Sequence, residues 1–197
     1  METTRTAGAH QFRLGLGHPV LEFLATLARR QADPVERLAT PEDFQRWLEI
    51  AGVAADARCD KRLLVDAREL REALYRLVVA AREGRAPAAV DLGLVNAWAR
   101  KPTPSPQLDS SLGVTRVAPD ACRAGLTELA RAGIELVAGT QLQLVRNCAN
   151  PTCSLMFIDQ SRPGRRRWCS MERCGNRAKT AAYRERRRRR TAALDRR

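Results

Sequence analysis

Four cysteines near the C-terminus, spaced C-x4-C-x15-C-x4-C at Cys148, Cys153, Cys169 and Cys174, constrain this 197-residue chain more than any other feature. Zinc takes four ligands in a tetrahedron, and thiolates suit it well. Two short loops that each deliver two sulfurs build that tetrahedron with little added loop-closure entropy. The competing readings are disulfides and unconnected buried thiols, and such regular spacing speaks against the second. The N-terminal stretch METTRTAGAHQFRLGLGHPVLEF lacks the charged start and continuous apolar block of a secretory signal. No apolar run approaches the roughly 20 residues of a membrane-spanning helix. The expectation is a cytoplasmic protein with reduced thiols, no membrane partner, and one structural Zn2+. Four thiolates close the zinc shell and leave no open position for a catalytic water.

The residues between the pairs suggest a local shape. Leu155–Ile158 reads as a strand, 160–164 as a turn and 165–168 as the return strand, which would bring Cys153 and Cys169 together. Asn150-Pro151 favours a tight turn, and Gly175-Asn176 permits close backbone approach beside the last ligand. Phe157 and Trp168 are the candidate miniature core. So small a module has too little apolar surface to fold alone, so the metal should supply its folding free energy, on the order of 10 kcal/mol. Asp159 and Glu172 are expected as surface ion-pair partners of nearby arginines rather than as catalytic bases.

Charge separates the chain into two unlike parts. Residues 146–197 hold 15 Arg and one Lys against four acidic residues, net +12, whereas residues 1–145 net only +1. A neutral body joined to a very basic module points to a polyanionic partner. Arg165, Arg166 and Arg167 form one cluster; Arg177, Lys179, Arg184 and Arg186, Arg187, Arg188, Arg189 and Arg190 form another along a segment of good helix propensity. That segment is basic all round and has no face to bury, and repulsion should fray its end until phosphates neutralise it. Arginine suits bidentate phosphate contact and guanine-edge readout.

The first part reads mainly as helices. Pro19 fits a first helical position ahead of Val20, Phe23, Leu24 and Leu27. Thr40-Pro41-Glu42-Asp43 resembles a capping box, followed by Phe44, Trp47 and Leu48 and a stop at Gly52. Leu63, Ala67, Leu70, Leu74, Leu77 and Val78 mark the longest helix, ending at Gly84; Val90, Leu94 and Trp98 mark a shorter one. The prolines of KPTPSPQ (101–107) make a loop or stiff connector, and 113–119 a short strand. A further helix opens at Pro119-Asp120, carries Leu126, Leu129, Ala130 and Val137, and ends at Gly139; 142–147 leads as a weak strand into the cysteines. Cys59 and Cys122 read as lone buried hydrophobes, and His10 and His18 belong to no site. With no constellation of His, Ser or carboxylates, the chain is expected not to be an enzyme. The fold class expected is mainly α: a helical N-terminal domain over 1–140, then a small four-cysteine zinc-binding β-hairpin plus helix module over 141–197.

WCSMERCGNRAK (168–179), with CANPTC, FIDQSR and RRRWCSM ahead of its CGNR tetrad, resembles the CGNR zinc-finger family. Proteins with this finger usually carry an N-terminal ABATE domain, a family described as a stress-induced transcription regulator. LEFLAT (21–26) is similar to that domain's early L-D-F-x-N-T stretch, with Glu22 and Ala25 replacing the Asp and Asn. The resemblance implies a bacterial DNA-binding transcription regulator whose helical domain senses a small molecule or forms a homodimer. Duplex DNA is the expected partner ahead of RNA, because Tyr183 is the sole candidate stacking platform. An RNA- or ribosome-associated zinc protein and a protein-interaction adaptor are the alternatives.

Overall fold

The structure, a computed structural model, describes residues 12–54 and 58–194; His10 lies outside them. Its helices begin where local chemistry permits. α1 (Pro19–Leu24) places Pro19 in its first turn, and the Nδ1 of His18 accepts from the Val20 N–H at 3.2 Å. α2 (Pro41–Ile50) opens on the expected capping box, the Thr40 hydroxyl and the Asp43 carboxylate each accepting a backbone N–H from the other. α3 (Lys61–Arg82) is capped by Asp60 and α5 (Ala121–Ala138) by Asp120. α4 is Ala89–Ala99.

α3 and α5 pack against each other, α1 and α4 pack on both, and α2 lies across the same two helices. Phe23, Phe44 and Trp47 are fully buried between them, with ring centroids 5.1 Å apart for Phe23–Trp47 and 6.5 Å for Phe23–Phe44. Each such side chain contributes on the order of 1.5–3 kcal/mol through burial. Close approach of α5 to α3 needs Gly133, where a Cβ would meet Leu74 Cδ2 at 2.2 Å.

Several expectations require correction. Val90 is 75% exposed, and α4 instead buries Asp91, Val95 and Trp98. Asp91 is the reason: its carboxylate receives the Arg76 guanidinium of α3 at 2.6 and 2.9 Å, which fixes the rotation of α4. KPTPSPQ is not only a connector. Ser105–Leu108 forms strand β3, antiparallel to β4 (Val114–Val117), and Pro106 is tolerated because β3 is an exposed edge. Cys59 and Cys122 are not lone hydrophobes but a disulfide. Their 63-residue separation, from the approach to α3 to the first turn of α5, gave no spacing signal. A two-residue pair, β1 (Leu27–Ala28) with β2 (Val35–Glu36), completes the helical part.

The C-terminal hairpin also differs from expectation. β6 (Met156–Ile158) pairs with β5 (Val145–Asn147), not with 165–168, which has no strand structure. The chain before Cys148 is thus the true partner of the strand after Cys153. Nor is the module's core separate. Phe157, Ile158, Met156 and Leu155 belong to one apolar cluster with Leu16, Leu24 and Leu74. The Ile158 N–H donates to Leu16 O at 2.8 Å, and Gly17, at φ +88°, brings its backbone so close that a Cβ would lie 3.0 Å from that of Ile158. Phe157 is fully buried, whereas Trp168 only packs against the cluster's edge.

Candidate zinc centre and basic helix

The first two sulfurs flank the turn of the β5–β6 hairpin. Cys148 N–H donates to Leu155 O at 2.9 Å, and Cys153 N–H to Asn150 O at 2.8 Å. Asn150 acts through its side chain as well: its buried Oδ1 accepts from the Thr152 N–H at 3.1 Å and hydroxyl at 3.0 Å. Of the second two sulfurs, Cys169 precedes a π turn, Met171–Gly175, and Cys174 lies within it; N–H groups of that turn are received by Ser170. The Ser170 hydroxyl accepts from Arg173 N–H, and its carbonyl from Cys174 and Gly175 N–H, both at 3.0 Å. A bond from Ala149 N–H to Arg167 O at 2.8 Å holds the two loops together.

All four Sγ atoms lie within 4.8 Å of one another. Cys153–Cys169 and Cys169–Cys174 are separated by 3.8 and 3.7 Å. A tetrahedron with Zn–S bonds of about 2.3 Å has edges of about 3.8 Å, so the residues present fit zinc. Disulfides, at about 2.05 Å, would need far closer sulfurs. The electrostatics agree. A hydrogen bond from Cys169 stabilises the Cys153 thiolate and pulls it well below the ordinary thiol range. Cys169 is pushed up by donating that bond and by burial, and Cys174 by burial and the Cys153 charge. One thiolate therefore opposes the others, and a dication resolves the conflict by holding all four deprotonated.

The loop between the pairs is held by Asp159 and Arg166. Asp159 is buried, not a surface ion-pair partner: it accepts from Ser161 N–H at 3.0 Å, Ser161 hydroxyl at 2.6 Å and Arg166 N–H at 2.8 Å. The Ser161 hydroxyl chiefly holds its carboxyl below the usual range. Glu172 is exposed and has no ion pair among the described residues. Arg166 turns its guanidinium inward, over the Phe157 ring at 4.6 Å, donating to Trp168 O at 3.0 Å and to Cys169 O. Arg165 and Arg167 remain exposed, Arg167 lying 5.0 Å from the Trp168 ring centroid.

α6 (Asn176–Leu194) continues directly from the π turn that carries Cys174. Arg177, Lys179, Arg184, Arg186, Arg187, Arg188 and Arg189 are all exposed on it; Arg190 belongs to α6, but its side chain is outside the described set. Glu185 pairs with Arg189 at 2.8 Å, the one ion pair of α6 among the described residues. The helix extends through Leu194, the last described residue.

Sequence reasoning missed three arginines of the helical part that face the sulfurs. Arg13, Arg29 and Arg37 line a cavity that also exposes Cys153, Cys169 and Cys174. Burial pushes Arg37 down from the ordinary guanidinium value, offset in part by the Cys153 thiolate. No spacing rule links positions so far apart; Arg29, at φ +55°, occupies a conformation unusual for a side chain, which sequence cannot show. Also missed is Arg71, which sits 2% exposed within the apolar stripe of α3 and binds Glu36, Glu72 and Thr26. Its signal was present: an arginine at i+4 from Ala67, in register with the core face.

No helix among the described residues is long and apolar enough to cross a membrane. No curated protein matches the chain. Residues 145–187 match the CGNR zinc finger, and residues 17–140 match the ABATE family, described as a "Putative stress-induced transcription regulator". With most of its length so matched, and four cysteines placed to hold one structural zinc, the chain belongs to the ABATE family and carries a CGNR zinc finger at its C-terminal end.

Proposed function

We infer that the protein is a zinc-dependent transcription regulator that binds duplex DNA through α6 and the 165–167 cluster. One observation carries this reading: a helix with exposed basic side chains grows from the turn that carries Cys174, so its charge has a fixed foot and, apart from Glu185–Arg189, no ion-pair partner among the described residues. A solvated tail would need no such footing. The contacts fall to Arg165, Arg167, Arg177, Lys179, Arg184 and Arg186–Arg190, since Arg166 is engaged with its own backbone. The finger is structural, since four thiolates fill the zinc shell and leave no position for a catalytic water. The reading of the whole chain as a regulator rather than an enzyme rests on the sequence offering no constellation of His, Ser or carboxylates. The four free thiols favour a reducing compartment such as the cytoplasm, while the Cys59–Cys122 disulfide weighs against one. Stress response enters as the family description gives it, with the helical body as the sensing part.

Fluorescence anisotropy with a labelled duplex, across a salt series, tests the reading. Contact with about five phosphates predicts a log–log slope of about −4 to −5. Arg186→Gln with Arg187→Gln should flatten it by about two. A slope near zero contradicts the reading, and tighter binding of a structured RNA at equal salt would transfer it to RNA.

A further inference from the structure

The cavity beside the cysteines is lined by arginines from both parts of the chain. Arg13, Arg29 and Arg37 come from the helical body, and Arg173 and Arg177 from the foot of α6. Its volume is about 340 Å³, within the range of small-molecule sites. Charge neutralisation of the metal centre does not account for this set. Zinc with four thiolates carries a net charge of about −2. Arg29 is already paired with Asp33 at 3.5 Å. Among the described residues, Arg13, Arg37, Arg173 and Arg177 have no carboxylate within ion-pair distance. Against the metal centre these four leave a surplus of about +2. A second observation points the same way. Arg13 Nη1 is shielded from solvent and has no hydrogen-bond partner among the described residues, a costly state for a charged donor unless something binds there.

We propose that this cavity is a binding site for a small molecule carrying a phosphate dianion. A phosphate group brings a charge of about −1.5 to −2, which matches the surplus, and offers acceptor oxygens in several directions. Guanidiniums that converge from separate elements suit a tetrahedral acceptor better than a planar carboxylate, which one fork satisfies. Leu14, Leu16 and Leu155 line the same cavity and give the remainder of an organic phosphate an apolar wall. The occupant would bridge the helical body and the foot of α6. The site shares Arg177 with the proposed duplex contacts, but Arg13, Arg29, Arg37 and Arg173 take no part in them, so the cavity can be tested apart from DNA binding.

The test is isothermal titration of the full-length zinc-loaded protein with inorganic phosphate and with glycerol phosphate, using glycerol as the uncharged control. Saturable one-to-one binding is expected for phosphate and, more tightly, for its ester. Arg13→Gln and, separately, Arg173→Gln should each weaken binding by about tenfold or more. Zinc content must stay unchanged in both variants, which separates loss of the site from loss of the fold. Arg165→Gln and Arg186→Gln should leave phosphate binding intact even if they weaken DNA binding. Absence of saturation with both phosphates, or unchanged affinity in both zinc-loaded cavity variants, overturns the proposal. So does mole-for-mole displacement of glycerol phosphate by a short duplex, which would make the cavity part of the nucleic-acid surface.

Discussion

The arginines of the helical body and those of α6 live under opposite conditions. In the body, outside the cavity beside the cysteines, several are answered by carboxylates. Arg71 is 2% exposed and places its donors on Glu36, Glu72 and Thr26, while Arg30 binds Glu72 and lies 4.1 Å from the Tyr75 ring centroid. Arg76 meets the buried Asp91. On α6 the same residue type is exposed and, apart from Glu185–Arg189, unanswered among the described residues. Arginine in the first setting fixes the packing of α3, α4 and the β1–β2 pair. In the second it contributes nothing to packing, so its use must lie outside the chain. The net charges of the two parts, +1 and +12, reflect this difference, because the answered arginines cancel and the others do not.

Breaking the metal centre should have the largest effect. Chelation, or Cys169→Ser, removes a contribution on the order of 10 kcal/mol from the finger. Because Phe157 and Ile158 share a core with Leu16 and Leu74, the loss should lower the melting temperature of the whole chain, as one transition followed by circular dichroism. A helical body that melts unchanged would show that the two parts are thermally independent.

Next in size is the internal network. Arg71→Met removes one partner from each of Glu36 and Glu72, which keep Arg68 and Arg30, and should cost about 2–3 kcal/mol in chemical denaturation. Arg186→Gln on α6 should change stability by less than about 0.5 kcal/mol while weakening duplex binding. Equal stability costs in the two variants would erase the contrast between answered and unanswered arginines. Gly133→Ala should cost about 1–3 kcal/mol, since the new methyl must displace the buried Leu74.

The smallest effect is the pH dependence of the network. Burial works to raise Glu36 and Glu72, but hydrogen bonds and charge from Arg71 and Arg30 outweigh it, and both carboxyls end below their ordinary value of 4.5. With folded-state values depressed, their stabilisation is complete above about pH 4.5 and is lost as pH falls through the lower folded-state values. Arg71→Met should therefore flatten the stability curve below that pH, and an unaltered acid limb would dissociate these groups from acid unfolding.

Much of this was legible in the residues because the signals were local. The starts at Thr40 and Asp120, the proline at position 19 and the stripe from Leu63 to Val78 act within one or two turns, and they give the helices directly. The four cysteines were legible because ligand spacing is itself a short-range constraint. What stayed hidden depends on tertiary contact. The strand after Cys153 pairs upstream rather than downstream, since the buried Asp159 ties 159–166 into an otherwise largely exposed loop that has no strand to offer. Cys59–Cys122, the rotation of α4 set by Asp91, and the convergence of Arg13, Arg29 and Arg37 on the sulfurs all join residues from distant segments.

The central claim is that zinc gives α6 its footing and so makes its charge usable. Duplex affinity of the full-length protein, measured at one fixed salt concentration before and after stripping and then restoring stoichiometric zinc, tests it most directly. The account predicts a loss of about tenfold or more on stripping and recovery with the metal. Equal affinity with and without zinc would contradict it.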